Sequence, residues 1–330
     1  MKHLSKEIDV MNEETPWIML STIIERISRL ENEVRELRQF LFVQMPSAEQ
    51  LIARSLSNLA DSHVIEPVAA KTDFWEVLCL GNFHIRNAER DLILCNSRRG
   101  QSILKYLLAC PEYTASSEML IDTFWPQVDP DAGLHSLHVA IHALRRSLRG
   151  CGPKGSDETV LFGNNRYFLN PALTIVQDVD HFRAAYERGQ HAISAGRQAE
   201  AKLAFEEART HYTGDYLSDC FEEWASSRRL ALIDIRLALL GQLGTLYSQG
   251  KEWEFAIVCY NEILAVDCYR EDIYRKLMHC YSANGRLADV KLTYRTCTEL
   301  LRRDLRLAPA PETTRLYQEL IKQTTQSHSD

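Results

Sequence analysis

The sequence predicts a mainly α-helical protein in three parts: an N-terminal coiled-coil helix, a small α+β domain, and an all-α domain of stacked helix pairs. Three observations predict it. Apolar residues step by three and four through residues 20–41. Residues 75–170 read in the order strands, three helices, hairpin. From residue 178 onward the pattern is helical and repeats every 34 residues.

The 330 residues suffice for two or three domains. Apolar content of 45% and charged content of 25% are ordinary for a globular chain. The net charge of −7 excludes a uniformly basic nucleic-acid coat. It leaves room for a local basic face. Residues 75–170 balance 10 basic side chains against 10 acidic ones, and residues 134–150 hold three arginines and no acid. Phosphate binding needs only such a local concentration. The nine cysteines form no C-x-x-C pair and sit singly in apolar runs, so they read as core thiols of a reducing compartment. No run of about 18 apolar residues is present, so no membrane span is expected. The N-terminus lacks a signal-peptide cleavage pattern, and a cytoplasmic location is expected.

The first element spans residues 1–45. With Leu20 at heptad position a, Leu20, Ile27, Val34 and Leu41 occupy a, and Ile23, Leu30 and Leu37 occupy d. β-Branched a residues with Leu at d favour a parallel pair. In that pair Arg26 would meet Glu31 of the second chain, and Glu33 would meet Arg38. The competing reading is an amphipathic helix packed on its own chain. Residues 46–74 read as a helix (about 47–60) and a linker.

The α+β domain is assigned to residues 75–172. WEVLCLGNFHI, residues 75–85, alternates and turns at Gly81-Asn82. A further short strand fits residues 92–95. A helix follows from about Arg99 to Ala109, stopped by Pro111. Ser116 or Ser117 can cap a second helix that runs through Phe124 and stops at Pro126. The third helix is DAGLHSLHVAIHALRRSLRG, residues 131–150, with an acid at its start and arginines near its end, the polarity the helix dipole favours. ETVLFGNNRYFLN, residues 158–170, is a hairpin about Gly-Asn-Asn.

The helical domain is assigned to residues 178–322, with a disordered tail at 323–330. Leu243, Gly244, Tyr247, Ala256 and Tyr260 recur 34 residues on as Leu277, Met278, Tyr281, Val290 and Tyr294. A weaker earlier copy is Gly189, Ala192, Ala201, Phe205 and Ala208. This is the spacing of tetratricopeptide-like helix pairs, in which a small residue at each crossing lets two helices approach. Such arrays commonly hold other proteins; helices packed only on their own domain are the alternative.

The third helix carries the functional question. Leu134, Leu137, Ile141, Leu144 and Leu148 form a stripe expected to be buried. His135, His138, His142, Arg145 and Arg149 follow one residue later, and Ser136, Ala143 and Arg146 widen the exposed side. A metal site would want carboxylate or thiolate partners, and the adjacent arginines repel a cation. A solvated face is the plain alternative. A recognition helix in a DNA major groove wants short hydrogen-bonding side chains early and arginines later. A strand hairpin after it, with Arg166 near its tip, would serve as a wing in the next groove. DNA is the favoured partner.

LGNFHI, RRGQSILKYLLACPEY, LIDTFWPQVDPDAGLHSLHVAIHALRRSL and NNRYFLN together resemble the OmpR-type winged-helix domain. In particular they are similar to that of the Streptomyces antibiotic regulatory protein (SARP) family, also called the AfsR/DnrI/RedD family. DVDHF at residues 178–182, YTGDYLSD at 212–219 and EEW at 222–224, with the helical repeats, resemble that family's bacterial transcriptional activation domain. The likeness covers about residues 75–322. It implies a transcriptional activator that binds repeated promoter elements in double-stranded DNA and recruits RNA polymerase holoenzyme. It places the major-groove face on His135, Ser136, His138, His142, Arg145, Arg146 and Arg149, and the wing contact on Arg166. It puts Ser117 and Trp125 where the wider winged-helix group touches phosphates. Two departures matter. The N-terminal 74 residues are outside the core family pattern, so homodimerisation through Leu20–Leu41 is this chain's own expectation. There is also no G-x-x-x-x-G-K-[ST], so no nucleotide cofactor is expected. No metal site is assigned.

No G-x-S-x-G, H-E-x-x-H or dinucleotide motif is present, and no enzymatic activity is expected. Asp215, Asp219, Glu222 and Glu223 cluster between repeats and read as a solvated turn with helix caps. The alternative function is a protein-interaction scaffold whose winged helix contacts protein.

Overall fold

The computed structural model describes residues 74–326, apart from 88–92, 94 and 154–157. The heptad residues Leu20, Ile23, Ile27, Leu30, Val34, Leu37 and Leu41, and the helix and linker up to residue 73, lie outside the described residues.

Strand β1 (Phe74–Leu78) turns Trp75 and Val77 into the core, and β2 (His84–Arg86) pairs with it antiparallel. The pairing closes with Leu78 opposite His84, so residues 79–83 form a loop rather than a two-residue turn. The reason is that this backbone bonds elsewhere. Cys79 and Leu80 N–H groups donate to the Asp178 carboxylate at 2.8–2.9 Å. The Leu217 N–H donates to the Cys79 carbonyl at 2.8 Å, and the Gly81 N–H to the Asp215 carbonyl at 3.1 Å. The strand expected at 92–95 falls partly outside the described residues; within it, the Ile93 N–H donates to the Ile85 carbonyl.

Helix α1 (Arg98–Ala109) is capped by Ser97, whose Oγ accepts from the Gly100 N–H, and it buries Ile103, Leu104, Leu107 and Leu108. Strand β3 (Thr114–Ser116) follows the turn at Pro111 and was not foreseen from the sequence. Ser116 caps α2 (Ser117–Phe124) by accepting from the Met119 N–H at 3.1 Å. Helix α3 (Pro130–Ser147) starts just before the expected point, with Asp129 capping and Pro130 in its first turn. Strands β4 (Val160–Gly163) and β5 (Arg166–Leu169) form the expected hairpin. Asn164 and Asn165 have φ of +52° and +58°, the type I′ geometry that matches strand twist. β3 joins them in the order β3-β5-β4. A sixth strand, β6 (Thr174–Gln177), returns to lie parallel to β1, giving the order β2-β1-β6.

Three helix pairs follow: α4 (Asp178–Ser194) with α5 (Gln198–His211), α6 (Glu223–Gln249) with α7 (Trp253–Val266), and α8 (Glu271–Ala283) with α9 (Leu287–Leu300). Glycine at the crossings is required sterically. A methyl at Gly244 would lie 2.6 Å from the Tyr260 ring, and one at Gly189 would collide with Phe205. A π-turn at Leu301–Leu305 leads to α10 (Pro311–Gln326), so the expected tail begins within a helix. Helix α6 is long and apolar enough to cross a membrane, which the run-length reading of the sequence did not register. Its Leu232, Leu239, Leu240 and Leu243 are buried against neighbouring elements.

The two halves are tied by charged and polar side chains. Lys105 of α1, 5% exposed, donates to Asp219 at 2.6 Å, and its ammonium sits 4.9 Å from the Phe83 ring centre. Within the helical half, Arg229 donates to the carbonyls of Tyr216, Leu217 and Cys220 at 2.6–2.7 Å and so shapes the loop that meets Cys79 and Gly81. Arg228 donates to the Ala109 carbonyl across the junction, while Gln177, at the end of β6, holds the Leu108 carbonyl within the first half at 3.0 Å. Trp224 packs edge-on against Tyr106 at 5.2 Å. The acidic cluster is therefore not only a solvated turn: Asp219 holds Lys105, and Glu222 lies 3.6 Å from Arg99.

Candidate nucleic-acid interface

The buried face of α3 is Gly133, Leu137, Ala140, Ile141 and Leu144, continued by Leu148. Leu134, expected in that stripe, is 38% exposed. The cause is the crossing with α2. A methyl at Gly133 would stand 2.8 Å from Ile121, so α2 meets α3 at the glycine and rolls Leu134 outward.

The outer face then carries His135, His138, His142 and Arg146, with Arg149 just past the helix end, all exposed. Ser136 is half-buried, and its hydroxyl donates to the Ala132 carbonyl at 2.9 Å. Val139, 57% exposed, lies among the histidines and was not singled out from the sequence. Arg145 is different: its Nε donates to the Val160 carbonyl at 2.9 Å, fastening α3 to β4. Burial raises the Tyr167 phenol pKa, and the nearby Arg145 charge opposes that rise.

The wing is fastened at its tip as well. The Asn165 carbonyl accepts the Ser117 N–H at 3.0 Å and its hydroxyl at 3.4 Å, and Ser117 is 4% exposed. Ser117 therefore joins α2 to the wing and is enclosed, unlike a phosphate contact. Arg166 is exposed, with its Nε 3.3 Å from the Thr114 hydroxyl of β3. Trp125 is half-buried, with the Arg99 guanidinium 5.4 Å from its ring centre. Thr114 as a partner of Arg166, and the exposed Phe162 beside Tyr167 on the wing, were missed; the alternation in LFGNNRYF was the available signal. The result is a helix presenting imidazoles and guanidiniums, held against the hairpin by Arg145, with α2 fastened to the same hairpin by Ser117.

Residues 177–321 match the bacterial transcriptional activator domain family. The chain is 24% identical over 227 residues to the transcriptional regulatory protein MoaR1 of Mycobacterium tuberculosis, covering 68% of this chain and 72% of that one. It is 24% identical over 244 residues to the regulatory protein AfsR of Streptomyces griseus, covering 70% of this chain and 23% of the longer relative. The chain thus carries a bacterial transcriptional activator domain and is similar to proteins named as transcriptional regulators. The fold is similar to that of Mycobacterium tuberculosis EmbR, solved in complex with a low affinity phosphopeptide. The TM-score is 0.62 at 20% identity, over 76% of this chain and 65% of EmbR.

Proposed function

We propose that this chain is a SARP-type activator that docks α3 in the major groove of repeated promoter elements and Arg166 in the neighbouring groove. From there it recruits RNA polymerase holoenzyme. The observation that carries the reading is the outer face of α3: three exposed histidines and two exposed arginines, with no carboxylate after Asp131. Imidazoles meet base edges, and guanidiniums meet guanine or phosphate. Arg145 and Ser117 act behind this surface as fasteners. Two chains joined through the heptads of residues 20–41 would address two half-sites, in the cytoplasm. The regulator family supplies no reason to assign catalysis.

The test is anisotropy titration of selected genomic fragments across a salt series. Affinity should fall by roughly one power of salt for each phosphate neutralised. Arg146→Ala with Arg149→Ala should flatten that slope. A salt-insensitive complex formed with protein alone would favour the scaffold reading instead.

A further inference from the structure

Between the first sheet and the helical half lies a cavity of about 570 Å³, within the size range of small-molecule sites. Leu78 and Leu80 give it an apolar floor. Asn82, His84 and Arg86 border it from the β1–β2 side, and Thr210, His211 and Thr213 from the end of α5. Elsewhere this junction is filled: Tyr216 and Leu217 are fully buried a few residues away. An open space ringed by hydrogen-bonding groups is not what packing alone would leave.

The charge around it is one-sided. Asp178 is the one carboxylate among the described lining residues. Its oxygens are already occupied by the N–H groups of Cys79, Leu80 and Val179 at 2.8–2.9 Å. Against it stand a guanidinium and two imidazoles. Arg86 has Glu76 only at 3.6 Å, with both side chains substantially exposed. The His84 Nδ1 donates to the Asn82 carbonyl at 2.9 Å, leaving Nε2 as its remaining ring nitrogen. His211 stacks on His181 of α4 at 5.2 Å. Burial and then His181 lower the His211 pKa, with Arg188 adding to this and Glu207 opposing it. An arriving anion would supply the counter-charge that lets the His211 ring protonate.

We propose that this cavity binds a small phosphorylated molecule, with its phosphate held by Arg86, His84 and His211 and its remaining atoms against Leu78 and Leu80. A phosphate monoester carries nearly two charges at neutral pH and three strong acceptor oxygens, which match one guanidinium and two imidazoles. Both halves of the protein contribute donors, so the bound molecule favours their joined arrangement. That the molecule thereby tunes regulation rests on the DNA-binding reading; the binding itself does not.

The experiment is calorimetry of the full chain, without DNA, against phenyl phosphate and inorganic phosphate at matched chloride. Phenyl phosphate should bind saturably and about tenfold more tightly than inorganic phosphate, because only the ester reaches the apolar floor. His211→Gln and Arg86→Gln should each weaken binding about tenfold or more. Binding should strengthen from pH 8 to about 6 in the wild type and lose that slope in His211→Gln. If Arg86→Gln does not fold, His84→Gln takes its place. No binding at about 10 mM ligand, or equal binding in wild type and variants, overturns the site. Binding of the inorganic ion with no preference for the ester overturns the apolar floor and leaves the free ion as the occupant.

Discussion

Removing Asp219 should cost more than removing the lysine it holds. The Lys105 ammonium is 5% exposed, while the Asp219 side chain is 50% exposed. Asp219→Ala leaves a buried cation beside the Phe83 ring without its carboxylate partner. Breaking a buried pair from one side costs about 3–5 kcal/mol, and the half-exposed acceptor site lets water replace part of the lost bond, so about 2–3 kcal/mol is expected. Lys105→Met removes the charge, and Asp219 can rehydrate, so the expected cost is about 1 kcal/mol. At about 2–4 °C per kcal/mol for a domain of this size, Asp219→Ala should lower Tm by roughly 4–12 °C and Lys105→Met by roughly 2–4 °C. The assay is thermal unfolding at neutral pH, repeated in high salt, where a pair this enclosed should respond weakly. Equal costs, or a larger cost for Lys105→Met, would refute the claim that the junction is held by an enclosed cation.

Further outcomes follow from the same geometry. Arg146→Ala should weaken DNA binding by about 1–3 kcal/mol if it reads a base, with Tm unchanged. Arg145→Ala should lower Tm as well, by the worth of one hydrogen bond, about 1 kcal/mol, because its Nε is bonded to Val160; an unchanged melt would remove it from the fastening role. Gly244→Ala places a methyl 2.6 Å from Tyr260. Overpacking of about 1–3 kcal/mol should exceed the roughly 1 kcal/mol gained in helix propensity, and a higher Tm would contradict that crossing. The folded pKa of His211 is lowered, so the unfolded chain binds its proton first. The stability this neutral ring contributes is present above the ordinary imidazole pKa and is lost as pH falls below about 6.5. His211→Gln should therefore show a smaller Tm loss between pH 7.5 and 5.5 than the wild type, and an equal loss would contradict the burial.

Much of this fold was legible because local chemistry writes it. Ser116 and Pro111 mark helix ends through a cap and a missing donor, and Asn164-Asn165 marks a hairpin through its tolerance of positive φ. The repeat was legible because Gly189 and Gly244 must stay small under Phe205 and Tyr260. What escaped is non-local. β6 pairs with β1 about a hundred residues upstream, and TIVQ alone has too few residues to announce a strand. Asp219 and Lys105 are 114 residues apart, so the acidic cluster could not be read as a junction. At the interface the sequence marked the outward chemistry of α3, but not which members of its arginine and serine set are spent internally. Arg145 and Arg146 are neighbours in sequence; only the approach of β4 separates a fastener from an exposed guanidinium.

The most direct test is dimethyl sulfate footprinting of a selected promoter fragment, which reads guanine N7 in the major groove. The wild-type chain should protect guanines in repeated half-sites, and the Arg146→Ala/Arg149→Ala variant should lose that protection while keeping its melting temperature. Protection that persists in the folded variant, or a footprint confined to the minor groove, would contradict the assignment of α3 as the reading helix.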